Sequence, residues 1–297
     1  MDAQWAWRRY EEVRPRLPAA TFPAVSRRIR NLGELAGEID VFVLDGYGVL
    51  NVGASVVPGA PARVAALRAA GKRVLVLTNG ATRPARDRLA KYREMGFDFA
   101  DDDLISSRDA LAAAMAGRRH MRWGFAATAG SEIGSIVPQA SLLGDDPADY
   151  AAMDGFALLS TGAWNRDRQA LLLAALRARP RPVLVGNPDL AAPREDGFSA
   201  EPGLFAHEIE DRTEVVPQFH GKPFEGVFHM AAARIGQGVP AHRIAMVGDT
   251  LHTDVLGGAA MGWQTVLVMN HGLMKAANPD RLHEITDIRP HFIADTT

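Results

Sequence analysis

Apolar runs of strand length alternate with segments of helical periodicity along the first part of the chain, and this alternation is the feature that most limits its fold. Strand-length runs lie at residues 40–44 and 73–77, and helix-period segments lie at 60–70, 83–95 and 107–117. Strands that alternate with helices indicate βαβ units, in which parallel strands form one sheet and helices cover its faces. The sequence therefore predicts an α/β fold built on a parallel sheet.

The same alternation returns near the end of the chain. Residues 243–248 and 264–269 are two further apolar runs of strand length, and residues 291–295 are predicted to form a final edge strand. Helix-period residues separate the first two of these runs. We assign these strands to the same sheet, because parallel neighbours need a crossover connection of this kind.

A middle block with strands and a long helix of its own separates the two halves of the pattern. We interpret residues 121–215 as an inserted α/β domain, and residues 1–120 and 216–297 as the core domain that receives it. Residues 1–35 are interpreted as an arginine-rich helical extension, packed outside the sheet as an ornament or an oligomer contact. A chain of 297 residues is long enough for two domains.

Charge and composition exclude several classes of protein. The formal charge of −2, without a run of basic residues, argues against general nucleic-acid binding, and no apolar stretch is long enough to span a bilayer. The absence of cysteine excludes disulfides and thiolate metal sites, and the charged N-terminal residues do not fit a signal peptide. We therefore expect a cytoplasmic protein that acts on a small molecule, with a homodimer as an open alternative.

Polar residues directly follow three of the predicted core strands. Asp45 follows the first strand, Thr78 and Asn79 follow the second, and Asp249 follows a late one. Ligands of open parallel sheets bind beyond the carboxyl ends of the strands. Each residue taken singly is explained equally well by a turn or a helix cap. Together with Lys222, which precedes a predicted helix, they indicate a metal-assisted phosphate site.

Four segments resemble the motifs of the haloacid dehalogenase-like (HAD) hydrolases in order and context. These segments are DGYGVL, LVLTNG, GKP and GDTLHTD. The insertion between the second and the third resembles the C2-type cap of the class IIA phosphatases, which include the NagD-type and p-nitrophenyl phosphatase-like enzymes. The resemblance implies a HAD-like Rossmannoid core with an inserted α/β cap domain, and a phosphatase that uses Mg²⁺.

The resemblance also assigns roles to residues of these segments. Asp45 would attack phosphorus and form an aspartyl-phosphate. Mg²⁺ would be held at Asp45, at the backbone carbonyl of Tyr47 and at Asp249. Asp254 belongs to the same metal site, where it would hold a metal-bound water or Lys222.

The phosphate and the rest of the substrate have candidate residues of their own. By the same resemblance, Thr78 and the backbone amide of Asn79 would hydrogen-bond phosphoryl oxygens, and Lys222 would neutralise charge on the phosphate and the nucleophile. In the inserted block, Asn187 and Asp189 of the segment NPDL are candidate substrate residues, although an ordinary turn explains them equally well. The resemblance suggests a small organic phosphate such as that of a sugar or polyol.

Tyr47 departs from the pattern of the family. Most HAD phosphatases have an aspartate two residues after the nucleophile, which protonates the leaving alcohol and later activates water. Such acid–base help contributes about 10²–10⁴-fold in rate, and a phenol with a pKa of about 10 is poorly matched to it at neutral pH. We expect slow turnover unless another group supplies the base, and His220 and His252 are the candidates.

Two other functions remain open. The pattern Asp-x-Tyr-Gly is also the first motif of the L-2-haloacid dehalogenases, in which halide leaves without a proton. Those enzymes lack a GDxxxTD segment and carry their cap after the first motif, whereas only about two dozen residues follow Leu50 before the next strand here. The other alternative is a protein that binds phosphate and metal without turnover, which leaves the presence of Asp45 unexplained.

Overall fold

Two parallel sheets with helices packed around them organise the chain in the computed structural model, which describes residues 2–194, 197–275 and 277–297. The strands in this part of the chain are β1 (Arg27–Ile29), β2 (Val41–Leu44), β3 (Asn51–Val52), β4 (Ser55–Val56), β5 (Arg73–Thr78), β6 (Leu104–Ser106), β7 (Trp123–Ala126), β8 (Ser141–Leu142), β9 (Gly155–Leu158), β10 (Val183–Val185), β11 (Ala191–Arg194), β12 (Gly197–Ala200), β13 (Gln218–Phe219), β14 (Ile244–Gly248), β15 (Gln264–Val268) and β16 (Phe292–Ala294). The α-helices are α1 (Ala3–Val13), α2 (Ala60–Ala69), α3 (Ala85–Glu94), α4 (Ser107–Met115), α5 (Pro147–Ala152), α6 (Arg166–Ala178), α7 (Pro202–Arg212), α8 (Glu225–Ile235) and α9 (Leu256–Ala260). None of the helices within the described residues is long and apolar enough to cross a membrane.

The larger sheet has seven strands in the order β1, β16, β15, β14, β2, β5, β6, and every neighbouring pair is parallel. All four residues of the inner strand β2 are buried, because helices cover both faces of the sheet and a wholly apolar run is the only sequence that suits such a position. The predicted α/β fold with a parallel sheet is confirmed.

The edge of this sheet differs from the sequence prediction. Residues 291–295 contain β16 as expected, but β1 pairs with the outer side of β16, so the prediction of an edge strand there is wrong. Only one of the three residues of β1 is buried. Such a strand carries little apolar signal, and its residues lay inside the predicted helical extension.

The smaller sheet has five parallel strands in the order β13, β10, β9, β7, β8. Its strands come from residues 123–219, and the antiparallel hairpin of β11 and β12 follows β10 in the chain. The last strand, β13, pairs with Leu184 and Val185 of β10. The boundary predicted between residues 215 and 216 therefore lies just before the final strand of this sheet.

Phe42 tests the contribution of the large core to stability. Its side chain is fully buried (0 % exposed) in β2 and belongs to the main apolar cluster of the seven-stranded sheet. We expect Phe42→Ala to lower the free energy of unfolding by about 3–5 kcal/mol, because truncation of a buried ring leaves a cavity. Urea denaturation measures the change. The control is Val25→Ala, at a side chain that is 78 % exposed, which should change the value by less than about 0.5 kcal/mol. Equal effects of the two substitutions would contradict the described packing.

Candidate active site

The carboxyl ends of three adjacent strands bring the predicted site residues together. Asp45 directly follows β2, Thr78 is the last residue of β5, and Asp249 directly follows β14. Because β2 lies between β14 and β5 in parallel register, these three residues emerge at the same edge of the sheet. The backbone amide of Asp45 donates to the carbonyl of Val247 (2.8 Å), which ties the turn after β2 to the end of β14.

Lys222 lies in the middle of this group. Its Nζ atom is 2.6 Å from Oδ1 of Asp45 and 2.6 Å from Oδ1 of Asp254. The side chain is 2 % exposed. Asn79 holds the backbone of Lys222 from both sides, because its Oδ1 accepts from the Lys222 amide (2.7 Å) and its Nδ2 donates to the Lys222 carbonyl (2.9 Å).

Asp45, Asp249 and Asp254 form a compact carboxylate cluster. One oxygen of each lies within 4.8 Å of an oxygen of both others. Asp249 accepts from the Thr250 hydroxyl at Oδ1 (2.9 Å) and from the Leu273 amide at Oδ2 (2.6 Å). Burial, together with the adjacent carboxylates, raises the pKa of Asp249 well above its ordinary value. Burial likewise raises the pKa of Asp254 to about 6, although its ion pair with the ammonium group opposes the rise.

The charge balance of the cluster suits a divalent cation. Three carboxylates and one ammonium group carry a net charge of −2 when all are ionised, since −3 and +1 sum to −2. Burial alone would lower the pKa of Lys222, but Asp254 and Asp45 outweigh that effect and raise it, so the ammonium stays charged. Oxygen donors with excess negative charge are the ligands that Mg²⁺ and Ca²⁺ prefer. The residues present therefore fit the metal that the sequence predicts.

A polar cavity of about 390 Å³ opens above these residues. Its lining includes the predicted residues Asp45, Tyr47, Thr78, Asn79, Asn187, Asp189, Lys222 and Asp249. Asp254 is not among the lining residues and lies behind Lys222. In the described structure Asp254 thus contacts Lys222, which is one of the two roles expected for it.

Thr78 and Tyr47 face this cavity with partly engaged hydroxyl groups. Oγ1 of Thr78 accepts from the Gly80 amide (3.1 Å), which leaves its hydrogen available to an anionic oxygen. Oη of Tyr47 accepts from the Gly53 amide (2.8 Å). The Tyr47 ring is half-buried, and its hydroxyl is fastened to the hairpin of β3 and β4. The role of its backbone carbonyl as a metal ligand stays a prediction.

The segment NPDL reaches the cavity from the smaller sheet. Oδ1 of Asp189 accepts from Nδ2 of Asn79 (2.8 Å), so the two sheets meet beside the predicted phosphate group. Burial raises the pKa of Asp189 to about 7, although Asn79 and Lys222 pull it down. Asn187 accepts from the Asp189 amide (3.0 Å) and donates to Oε2 of Glu201 (3.1 Å).

Neither histidine suggested as a substitute base lines the cavity. His252 is buried below the site, where Nε2 lies 2.5 Å from Oε1 of Glu11. His220 lies on a different surface, near Pro217 and Phe224. The structure therefore contradicts both suggestions, since a general base must lie within reach of the reacting atoms. His220 and His252 were chosen because they lie beside or within a motif, but their side chains do not point into the cavity.

Several cavity residues had no sequence prediction. Arg83, Arg88 and Lys91 line the cavity from α3 and the turn before it, within 13 positions of Thr78. Basic residues this soon after a predicted phosphate-binding turn are a signal from which their place at the cavity could have been predicted. Tyr10 of α1 also lines the cavity, and no motif or spacing marked it.

A parallel sheet whose carboxyl edge collects carboxylates, an ammonium group and a hydroxyl is typical of phosphoryl-transfer sites that use a metal. Two family models match the chain, a haloacid dehalogenase-like hydrolase model at residues 42–133 and a HAD-hydrolase-like model at residues 219–297. Human glycerol-3-phosphate phosphatase is 30% identical over an alignment of 268 residues, and the alignment covers 79% of this chain and 80% of that protein.

Solved structures share the fold. A possible sugar phosphatase from Cytophaga hutchinsonii has a TM-score of 0.80 at 24% identity and covers 91% of this chain and 98% of its own. A glycerol phosphate phosphatase from Mycobacterium tuberculosis, solved in complex with magnesium, has a TM-score of 0.68 at 24% identity and covers 87% of this chain and 75% of its own. The chain belongs to the haloacid dehalogenase-like hydrolase family. The predicted superfamily and enzyme class, a HAD-like phosphatase, are confirmed, and HAD phosphatases generally use a divalent metal.

Gly48 tests the packing around Asp249. Its φ is +76°, and a Cβ atom there would lie 2.5 Å from Oδ2 of Asp249. We expect Gly48→Ala to displace this carboxylate, to reduce the rise in melting temperature on addition of Mg²⁺, and to lower turnover at least about tenfold. Gly71→Ala is the matched control, because its φ is +75° and nothing lies within 4 Å of the added Cβ. Loss of the Mg²⁺ response in both variants would contradict a local effect at Asp249.

Proposed function

We propose that the protein is a Mg²⁺-dependent hydrolase of small organic phosphate monoesters, with Asp45 as the nucleophile. The observation that carries this proposal is the ion pair of Asp45 with buried Lys222 beside Asp249, at the floor of a polar cavity. An anionic nucleophile approaches a phosphate dianion only where the negative charge is offset. The ammonium group provides part of that offset.

Two successive displacements at phosphorus account for the reaction. An oxygen of Asp45 bonds to phosphorus while the bond to the ester oxygen breaks, and the leaving alkoxide takes up a proton from solvent. Water then attacks phosphorus in the aspartyl-phosphate, releases inorganic phosphate and restores the carboxylate. Thr78 and the amide of Asn79 would hydrogen-bond the phosphoryl oxygens, and Lys222 would balance the charge that the transferred group brings.

Magnesium would be held by Asp45, Asp249 and the carbonyl of Tyr47, with Asp254 behind them as the partner of Lys222. When bound, the ion supplies charge neutralisation between the phosphate and the nucleophile. The cluster geometry and the charge balance support this assignment. Mg²⁺ is favoured over larger ions because it tolerates few protein ligands and retains several waters.

Sugar or polyol phosphates are the substrates that the cavity suits. Beyond the phosphate end, the lining offers side-chain amides and carboxyl groups at Asn51, Asn187, Asp189 and Glu201. Such groups pair with hydroxyl groups of a ligand in both directions, as donors and as acceptors. The segment 121–215, together with β13, would serve as the cap that places Asn187 and Asp189 over the cavity.

The dehalogenase alternative rests on Tyr47 alone. Between β2 and β5 the chain has only the short hairpin of β3 and β4 and the helix α2, which leaves no room for a cap at that position. A buried cluster of three carboxylates also has no task in a displacement of halide from carbon. Release of chloride from 2-chloropropionate without added metal is the measurement that would favour this alternative.

Asp45→Asn tests the nucleophile. We expect it to reduce hydrolysis of p-nitrophenyl phosphate in Mg²⁺ by at least about 10³-fold, because an amide does not form the covalent intermediate. Asp40→Asn is the control, since Asp40 precedes the other end of β2 and pairs with Arg243 and Lys72 away from the cavity. That variant should retain turnover within about threefold. An active Asp45→Asn variant would refute the proposed mechanism.

Tyr47→Asp tests the missing acid. We expect faster hydrolysis of alkyl phosphates, by about tenfold or more, because a carboxyl group now protonates the leaving alkoxide. Hydrolysis of p-nitrophenyl phosphate should gain much less, since p-nitrophenolate leaves without a proton. Tyr47→Phe is the matched control, which loses the contact with the Gly53 amide but gains no acid. Equal rates for Tyr47→Asp and Tyr47→Phe on alkyl phosphates would contradict this explanation of the family departure.

A further inference from the structure

The N-terminal helix α1 contacts the smaller sheet's helix α7 through ion pairs. Arg9 lies 2.7 Å from a carboxylate oxygen of Asp211, and Arg16, just after α1, lies 2.6 Å from the other oxygen. Arg16 also lies 3.4 Å from Glu210. These pairs are partly exposed and contribute little stability singly, but they fix the position of α1 against the inserted segment.

The same helix also contacts the core that carries the carboxylate cluster. Glu11 pairs with His252, and the Tyr10 ring stacks on the His252 ring with centroids 4.9 Å apart and planes 13° apart. Tyr10 packs in a buried apolar cluster with Leu190 of the smaller sheet's loop and Leu273 of the core. Helix α1 thus bridges the two sheets on the side where the cavity lies.

Tyr10 stands at the point where these contacts meet the cavity. Its side chain is 3 % exposed and belongs to the cavity lining. Its hydroxyl accepts from the Leu190 amide (3.1 Å), one residue after Asp189 and three after Asn187. Burial raises the pKa of Tyr10 well above its ordinary value, so the phenol stays neutral. The ring therefore forms part of a cavity wall, and the hydroxyl anchors the loop that carries both substrate candidates.

We propose that Tyr10 is a specificity-determining residue of the active site, which limits the bulk of the leaving group with its ring and positions residues 187–190 with its hydroxyl. This inference rests on the proposed function, because it concerns the ester that occupies the same cavity. It assigns the N-terminal segment a part in substrate selection, in place of the ornament or oligomer contact expected from the sequence. A bulky ester would be excluded by the ring, and a small polyol ester would not.

The binding of two esters to the Asp45→Asn variant tests substrate selection separately from turnover, because this variant is expected not to hydrolyse them. Dissociation constants of glycerol-3-phosphate and 1-naphthyl phosphate would be measured by calorimetry in Mg²⁺. We expect Tyr10→Ala to shift the ratio of the two constants by about tenfold in favour of the naphthyl ester, because a wall of the cavity is removed. Tyr10→Phe keeps the wall and should weaken both esters by about threefold to tenfold without a change in their ratio.

Tyr150→Phe is the matched control. Tyr150 is 1 % exposed, donates to the Gly144 carbonyl (2.8 Å), and is not among the residues that line the cavity. Its loss of one buried hydrogen bond should leave both dissociation constants within about twofold. If Tyr10→Ala does not fold, Tyr10→Leu takes its place, because it keeps an apolar side chain at the position. It should shift the ratio of the two dissociation constants in the same direction as expected for Tyr10→Ala.

The possible results separate this inference from the proposed function. An unchanged ratio in folded Tyr10→Ala and Tyr10→Leu chains would overturn the role of Tyr10, whatever the turnover of the chain with Asp45 intact. A shifted ratio in a protein that hydrolyses neither ester, nor p-nitrophenyl phosphate, would uphold Tyr10 and overturn the hydrolase mechanism. Absence of binding by both esters in every variant would overturn both.

Discussion

A buried ammonium group, that of Lys222, is the constraint on which the arrangement of the site depends. An isolated charge at 2 % exposure would cost several kcal/mol, so the chain must supply partners from nearby elements. Asp45 comes from the end of β2 and Asp254 from the short π-helix Leu251–Val255 that follows β14, while Asn79, after β5, holds the Lys222 backbone. The strand order β14, β2, β5 makes these positions neighbours, so the sheet topology and the charge of the site support each other.

Single side chains connect the inserted segment to the buried lysine and the carboxylate cluster. Nδ2 of Asn79 donates both to the Lys222 carbonyl and to Asp189 of the inserted segment. A shift of the segment that carries Asp189 therefore disturbs the residue that orients the buried lysine. Tyr10 adds a second connection, because it contacts both Leu190 and His252. The inserted segment and the carboxylate cluster are thus linked by direct side-chain contacts.

Features that depend on local sequence pattern were predicted correctly. Features that depend on contacts between distant parts of the chain were not. Apolar runs marked the buried strands, and polar residues directly after them marked Asp45, Thr78 and Asp249, because strand order puts every such position at one edge. The strand β1 escaped because only Ile29 of its three residues is buried. Tyr10 escaped because its partner Leu190 is 180 positions away, and no period or motif encodes a contact of that kind. The direction of the His252 side chain likewise depends on its contacts with Glu11 and Tyr10, which are remote in the sequence.

The contacts of Tyr47 differ from those expected of the aspartate that most HAD phosphatases have at this position. In most HAD phosphatases the residue at this position moves a proton, whereas here its hydroxyl accepts from the Gly53 amide and holds the β3–β4 hairpin beside the cavity. Under the proposed mechanism, Asp45 and Lys222 would act on the transferred group, which is anionic whatever alcohol carries it. The leaving alcohol would receive no proton from a carboxyl group at position 47. Under the proposed mechanism, the charge cluster therefore selects for phosphate, and the phenol restricts efficient turnover to esters whose leaving groups depart without strong acid catalysis.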